Sequence, residues 1–265
     1  MYKPVYDTIY YQNIAPKISV KWGQGYRMGQ YCPNGLSGCC NTAAAQIMSY
    51  YKYPTIFPLS YPGCGDPSIT INWTAMCNRI YSTHTYNYDS VDEHIGKLAR
   101  QLGFLSNSTY DSGGTGTTDS NIRSALMALG YNAGSLTTYN YSNTDAGYSL
   151  ANLLAANKLI YMGGYNSDGK GHAWVIDGCK YVKALHRMMV SYDGGITWTI
   201  FQELGTYRTC HNHINWGWNG AGNGYFYSWI VDAYNEIQYD DPINSLPSGY
   251  NLNYYNNIQY CEIWH

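Results

Sequence analysis

The sequence contains 265 residues, which suits one large domain or two small ones and is long enough to bury a hydrophobic core without disulfide bonds. Charged residues make up only 12% of the chain and the net charge is -2, so no basic surface is available to bind nucleic acid or an anionic membrane. No run of about 18 apolar residues occurs, so we expect no membrane-spanning helix.

Aromatic composition is unusual. The chain has 31 tyrosines against 4 phenylalanines, together with 28 glycines and 8 tryptophans, a composition common in secreted proteins. No basic segment followed by an apolar segment opens the chain, as a secretion signal would require. We therefore expect a mature chain whose leader is absent, with Met1 as an added start.

The first half of the chain carries helical patterns. Helix-forming residues run without interruption from Asn41 to Tyr51, and Pro54 closes the segment. The segment from Ser90 to Gly103 begins with a capping box, has one apolar face and is predicted to end at its glycine. A third helix is predicted over 119–130, and a weaker fourth over about 149–157.

From Leu159 onward the pattern changes to short apolar or alternating runs separated by turns that contain Gly and Asp, which predicts strands. The sequence YDGGIT at 192–197 predicts a hairpin turn. Helices followed by strands predict an α+β protein, not a doubly wound sheet. We expect one domain over 1–265, with a mainly helical part over about 1–158 and a mainly β part over about 159–265.

Eight cysteines are spread along the chain, and none forms a Cys-x-x-Cys pair, which disfavours zinc-finger and thioredoxin sites. The segment Cys210–His213 comes closest to a metal motif. Its two histidines have no further ligand nearby in sequence, so ordinary strand residues are favoured there. We expect neither a metal nor a cofactor. An oxidised pair such as Cys64 with Cys77 would be compatible with secretion.

Two adjacent cysteines, Cys39 and Cys40, lie where a loop enters the first predicted helix. A thiol reacts as the thiolate, and the positive end of a helix lowers its pKa. Cys40 shares the apolar face of the helix with Ala44 and Ile47, whereas Cys39 is rotated by about 100°. The pattern favours Cys39 as the exposed thiol and Cys40 as a packing residue. The alternative is that both are small buried core residues.

A nucleophilic cysteine needs a base, and His172 has the most suitable setting among the seven histidines. It opens a predicted strand in the segment GHAWVIDG, at a rim from which its side chain can reach a cleft. His213 is a competitor. A histidine at the start of a strand is by itself more often structural.

A later segment, INWGWNG from Ile214 to Gly220, joins an amide side chain to two tryptophans and two glycines. Asn215 could accept from or orient an imidazole, while Trp216 or Trp218 would shield that hydrogen bond from water. An aromatic β-turn without a catalytic role fits these residues equally well.

Taken in order, these segments resemble the streptopain family of papain-like cysteine peptidases. The matching motifs are WGQG at 22–25, GCCNTAAAQIMSYYKYP at 38–54, GHAWVIDG at 171–178 and NWGWNG at 215–220. The match runs from about Trp22 to the 220s. The resemblance implies a papain-like two-lobed α+β fold, in which a helical part with a central nucleophile-bearing helix packs on an antiparallel β-sheet part.

The family's functional residues carry over at the matching positions. The resemblance implies that Cys39 is the nucleophile, that His172 is the catalytic histidine, and that Gln24 stabilises the oxyanion together with the backbone N–H of Cys39. Asn215 is similar in position to the residue that orients the imidazole in papain-like enzymes. The substrate-binding residues implied at the same corner are Trp216, Trp218 and Gly171.

The resemblance also implies a biological setting. It implies a secreted or cell-surface bacterial cysteine endopeptidase, associated with virulence, whose partners are polypeptide substrates and an inhibitory propeptide that is not visible in this chain. It further implies a preference for a hydrophobic residue two positions before the cut. The segment from Cys179 to Asn212 looks longer than the family's strand connection, which predicts an inserted hairpin near the active-site side of the sheet.

Two other classes of function are open on these residues. One is a non-catalytic binding protein on a peptidase-like scaffold, whose abundant aromatic residues would form a sugar or peptide platform. The complete set of Cys, His and Gln argues against this class. The other is a papain-like amidase or transferase that uses the same nucleophile, because a fold does not fix a function.

Overall fold

The computed structural model describes residues 1–79, 89–140, 146–228, 232–233, 238–240 and 251–265. Six helices lie in these ranges: α1 (Tyr26–Gly29), α2 (Cys39–Tyr51), α3 (Trp73–Cys77), α4 (Ser90–Leu105), α5 (Asp119–Ala128) and α6 (Ala146–Ala155). The strands in the same ranges are β1 (Tyr2–Ile14), β2 (Ile56–Pro58), β3 (Ser68–Thr70), β4 (Thr109–Asp111), β5 (Gly114–Gly116), β6 (Asn132–Ala133), β7 (Thr137–Thr138), β8 (Leu159–Tyr165), β9 (Gly171–Val190), β10 (Thr199–Asn215), β11 (Gly224–Tyr227), β12 (Gln238–Tyr239) and β13 (Asn256–Trp264).

One antiparallel sheet dominates the second half of the chain. Its strand order is β12-β11-β10-β9-β8-β13-β6, with β7 paired to β13 and β1 paired to the far half of β9. Two small hairpins, β2-β3 and β4-β5, lie in the helical part. The predicted α+β class with an antiparallel sheet is confirmed.

Helix α2 lies at the centre of the hydrophobic core. Every residue from 40 to 49 is buried, and the helix contacts β8 and β9 on one side and α4 and α5 on the other. The three consecutive alanines Ala43, Ala44 and Ala45 are at most 1% exposed, and their small side chains allow neighbouring elements to approach closely. The end of the helix that carries the cysteines is therefore held rigidly.

The predicted helices are present, with two differences at the termini of α4. Its N-cap is Asp89, whose carboxylate accepts hydrogen bonds from the N–H groups of Val91 and Asp92, so the helix begins one residue before the predicted capping box would place it. The prediction that Gly103 ends the helix is wrong. A Cβ at Gly103 would clash with the hydroxyl of Tyr110, so this glycine provides room for packing and the helix continues to Leu105.

The hairpin predicted at YDGGIT is present, but its predicted location is wrong. Strand β9 begins beside His172 and runs for 20 residues, so the turn lies about 60 Å further along the strand at roughly 3.3 Å per residue. Strand β10 returns to Asn215 at the same end of the sheet. The hairpin therefore extends away from the site, and β1 adds a third strand where the mainly helical part was predicted.

All eight cysteines are free, so the disulfide between Cys64 and Cys77 considered from the sequence is absent. The thiol of Cys77 instead donates to the carbonyl of Ser49 at 3.6 Å. Within the described ranges, no helix is both long and apolar enough to cross a membrane.

Candidate active site

Helix α2 begins at Cys39, which places this thiol at the positive end of a 13-residue helix. The preceding Gly38 has φ +83°, a conformation that side-chain-bearing residues rarely adopt. A Cβ at Gly38 would also lie 2.7 Å from the carbonyl oxygen of Thr115. Only glycine fits between the loop and the helix, and this fit sets the direction in which Cys39 emerges.

The segment that contains Gln24 is tied to the loop before the nucleophile. The carbonyl of Gln24 accepts hydrogen bonds from the N–H of Ser37 at 2.8 Å and from its hydroxyl at 3.0 Å. The Ser37 hydroxyl also lies 2.8 Å from that of Thr42 in the first turn of α2. Gln24 is half-buried. Its hydrogen bonds hold its backbone against Ser37, two residues before Cys39.

His172 is the second residue of β9, and only 7% of it is exposed. Its Nε2–H donates to the backbone carbonyl of Trp216 at 2.9 Å. Because a carbonyl only accepts, this bond places a proton on Nε2 and leaves Nδ1 for the thiol. The imidazole lies close enough to the Cys39 thiol to lower its pKa, and both side chains line the same cleft, so the structure brings the predicted nucleophile and base together.

The two neighbouring thiols are shifted in opposite directions. The pKa of Cys39 lies well below its usual value because of its hydrogen bond with Cys40, whose sulfur is 4.0 Å away, and because of the hydrogen bond and charge of His172. The backbone N–H of Ala173 adds a further hydrogen bond. The same contact with Cys39, together with burial, raises the pKa of Cys40. These opposite shifts make Cys39 the more acidic of the two thiols.

Aromatic rings enclose the imidazole. The ring of His172 stacks on Trp218 at a centroid distance of 4.7 Å and lies 5.2 Å from Tyr254. Trp216 and Trp174 follow at 6.1 and 6.2 Å. These rings keep water from the hydrogen bond between His172 and Trp216, which strengthens it electrostatically.

The side chain of Asn215 makes no hydrogen bond to the imidazole. Its amide nitrogen donates to the carbonyl of Val20 at 3.0 Å, and its oxygen accepts from Gln46 at 3.0 Å and from the N–H of Gly217 at 3.2 Å. The group that orients His172 is the carbonyl of the next residue, and a backbone atom carries no signal in the sequence. Asn215 fixes the segment that presents this carbonyl.

His213, the competing base, is held elsewhere. Its Nδ1 lies 2.5 Å from Asp177 and its Nε2 lies 2.9 Å from Asp240, so both ring nitrogens are occupied by carboxylates. Among the residues that the structure describes, no group of three or more His, Cys, Asp or Glu side chains is placed to hold a metal.

A cleft of about 580 Å³ opens over the reacting groups. Its lining includes Cys39, Cys40, His172 and Gly171, together with the segment 115–120. Two residues predicted to bind substrate, Trp216 and Trp218, are not among the residues that line the cleft. Trp216 is fully buried and acts through its backbone carbonyl, and the half-buried Trp218 covers the imidazole.

Sequence reasoning missed two side chains around the site. Tyr254 packs on the imidazole, and Asp119 lines the cleft. Tyr254 follows a tract, 241–250, that gave no motif. Asp119 was assigned only as the start of a helix.

Comparison with known proteins places this geometry in a family. The sequence profile of the peptidase C10 family matches residues 10–226. The chain belongs to this family. Streptopain from Streptococcus pyogenes is 26% identical over 239 residues, which cover 82% of this chain and 51% of that protein. The thiol protease/hemagglutinin PrtT from Porphyromonas gingivalis is 26% identical over 233 residues, covering 78% of this chain and 23% of that protein. The predicted relationship to the streptopain family is confirmed.

A solved structure shows the same fold. The structure of active wild-type interpain A cysteine protease from Prevotella intermedia matches with a TM-score of 0.58 at 23% identity, covering 94% of each chain. The predicted cysteine-peptidase fold is confirmed. The peptidase C10 chain described here spans about half the length of the streptopain sequences that it matches.

Proposed function

We propose that this chain is a cysteine endopeptidase that hydrolyses peptide bonds in polypeptides, with Cys39 as nucleophile and His172 as general acid and base. One observation carries the proposal. A thiol with a lowered pKa stands at the N-terminus of α2, in an open cleft that it shares with an imidazole whose Nε2 is fixed by a backbone carbonyl. Membership in the peptidase C10 family supports the same chemistry.

The mechanism follows from this pair. The Cys39 thiolate attacks the scissile carbonyl carbon and forms a C–S bond, and the protonated His172 gives its Nδ1 proton to the departing amine as the C–N bond breaks. A water molecule then attacks the thioester while His172 removes its proton. The acid product leaves, and the thiolate and imidazolium are restored.

The oxyanion formed in both steps needs hydrogen-bond donors. The backbone N–H of Cys39 belongs to the first turn of α2, where N–H groups have no partner within the helix. We assign the side-chain amide of Gln24 as the second donor because its backbone is tied to the loop before Cys39. Loss of one such donor typically lowers kcat by about 10²–10³.

The remaining predicted site residues have supporting roles in this proposal. Asn215 is a positioning residue, since its side chain fixes the segment whose carbonyl binds His172. Trp218 shields the imidazole, and Trp216 supplies the carbonyl. Gly171 lines the cleft beside His172 and leaves room for the substrate backbone.

The setting implied by the resemblance is also part of the proposal. We propose a secreted or cell-surface location in a bacterium, a virulence-associated role and an inhibitory propeptide in a zymogen form. The relatives named above come from bacteria. Expression of the full gene in its host, followed by mass spectrometry of medium and cells, tests location and processing together. A single unprocessed form confined to the cells would contradict both.

Digestion of a peptide library tests the activity. The wild type should cleave internal bonds, Cys39→Ala should not, and Gln24→Ala should lose about 10²–10³ in kcat with unchanged folding. Gln202→Ala, on the exposed part of β10, is the matched control and should keep full activity. Full activity in Cys39→Ala would contradict the proposal.

A further inference from the structure

A carboxylate lies in the wall of the active-site cleft, and the proposed mechanism does not use it. Asp119 is the first residue of α5 and is half-buried, and it lines the same cleft as Cys39 and His172. It is close enough to the nucleophile for the two charges to interact. A side chain bound near the scissile bond would therefore lie within reach of this carboxylate.

The position of the carboxylate is fixed by its neighbours. The hydroxyl of Tyr161 on β8 donates to Oδ1 of Asp119 at 2.7 Å. Gly163 lies two residues after Tyr161 on β8. A Cβ at this position would lie 2.8 Å from Oδ1 of Asp119, so the absence of a side chain leaves room for the carboxylate. The hydroxyl oxygen of Thr118 accepts a hydrogen bond from the N–H of Asn121 and so caps α5. The carboxyl group is thus held at one place in the cleft.

No Lys or Arg side chain forms an ion pair with Asp119 within the described residues. Oδ2 of Asp119 has no hydrogen-bond partner there, and neither Lys nor Arg is among the residues that line the cleft. Arg123, one turn further along α5, donates to the carbonyls of Gly134 at 2.5 Å and Ala133 at 3.1 Å. Burial raises the pKa of Asp119 and the nearby Cys39 charge adds to this rise, as expected for a carboxylate without a cationic partner.

The rest of the wall suits a long side chain with a charged tip. Leu136 offers an apolar surface, and the amides of Asn257 and Gln259 offer polar groups in the same cleft. Lysine and arginine pack their methylene groups on apolar surface while the cationic group reaches a polar partner. A hydrophobic side chain would bury the second carboxylate oxygen, Oδ2, without a hydrogen-bond partner, which is unfavourable.

We propose that Asp119 is a specificity-determining residue that selects peptides with a Lys or Arg side chain close to the scissile bond. This inference rests on the proposed function, because the cleft must hold a peptide. It departs from the hydrophobic preference that the family resemblance implies. The acceptor is the unpartnered oxygen of Asp119, and the donor is the ammonium or guanidinium group of the substrate.

Peptide binding to the Cys39→Ala protein tests the inference without turnover. Peptides of one sequence carry Lys, Arg or norleucine at one of the four positions on either side of the central bond. At one position, the cationic peptides should bind at least about tenfold more tightly than norleucine, the range of a hydrogen bond between charged groups. In the double variant that carries both Cys39→Ala and Asp119→Asn, the preference for the cationic peptide over the norleucine peptide should fall to about threefold or less. Glu203→Gln, which removes one charge on the distant hairpin, should leave it unchanged.

The outcomes separate the inference from the proposed function. A norleucine preference at every position, a ratio that Asp119→Asn leaves unchanged, or no binding of any peptide would overturn the inference. Cleavage of an unstructured protein by the wild type is measured in parallel. A cationic preference in binding without cleavage would support the inference and contradict the proposed peptidase activity. Cleavage without a cationic preference would support the peptidase activity and overturn the inference.

Discussion

Cys39 and Cys40 are neighbours with different environments, and this difference underlies the proposal that Cys39 is the reactive thiol. Cys39 faces His172 at the end of α2, whereas only 8% of Cys40 is exposed. The pattern of apolar residues along the helix favoured this asymmetry but left open that both cysteines are buried core residues. The opposite pKa shifts give it a chemical consequence.

Replacement of Cys40 tests this asymmetry. Cys40→Ala removes the hydrogen bond that contributes most to the low pKa of Cys39, so alkylation of Cys39 by iodoacetamide should begin at higher pH than in the wild type. Cys40→Ser, which keeps a donor, should stay closer to the wild-type profile. Both variants should retain activity at neutral pH. Loss of activity in folded Cys40→Ala, with activity kept in Cys39→Ala, would reverse the assignment.

Asn215 offers a second test at the scale of one residue. Asn215→Ala should lower the free energy of unfolding by about 2–4 kcal/mol, because it removes three buried hydrogen bonds and leaves partners unsatisfied. Urea denaturation measures this loss, and Asn132→Ala, exposed on β6, is the control. A fall in kcat of more than 10³ with unchanged stability would instead indicate direct action on the imidazole, as the resemblance implied.

At the scale of elements, the start of α2 depends on Gly38. Gly38→Ala should cost about 1–3 kcal/mol, because its φ of +83° strains any other residue, and should also lower kcat by displacing Cys39. Gly35→Ala is a matched control. Gly35 has a similar φ of +77°, but no atom lies within 4 Å of a Cβ there. Thermal unfolding and kcat of both variants separate strain from displacement, and equal kcat losses would contradict this account.

A charge cluster where β9 pairs with β10 makes stability depend on pH. It consists of His213 on β10, Asp177 on β9 and Asp240. Burial lowers the pKa of His213, but hydrogen bonds with Asp177 and Asp240 outweigh it and raise the pKa to about 9. A histidine with a raised pKa stabilises the fold fully below its unfolded pKa of about 6.5 and loses this contribution as the pH rises through 9. The maximum contribution is about 3 kcal/mol.

The melting temperature as a function of pH checks this cluster. The wild type should lose stability between about pH 6.5 and pH 9, because over this range the unfolded state has released the His213 proton while the folded state still holds it. In Asp240→Asn the decline should begin at the same pH but end at a lower pH and be smaller in total, since one of the two carboxylates that raise the folded-state pKa is gone. Identical curves for the two proteins would show that the cluster does not control the decline.

At the scale of the whole molecule, much of the fold could be predicted from local patterns. The helices α2, α4 and α5 and the turn at 192–197 follow from propensity, capping and turn chemistry. The location of the hairpin did not follow, because it depends on the length of β9 and on its pairing with β1. For the same reason, a sequence does not show that Tyr2–Ile14 joins the sheet.

The site divides in a similar way. Cys39, His172 and Gln24 stand in motifs, and the first two are in contact in the folded chain. The carbonyl of Trp216 and the carboxylate of Asp119 take their roles only from tertiary packing. Such contacts join residues far apart in the chain, and no local pattern encodes them.

The central claim is that Cys39 is the nucleophile of a peptidase, and covalent labelling tests it most directly. A thiol-reactive peptidyl epoxide is incubated with the folded wild type, and the modified residue is located by mass spectrometry. We predict one label, on Cys39, that is absent from Cys39→Ala and retained in Cys40→Ala. A folded wild type without a label, or with its label on Cys40, would contradict the claim.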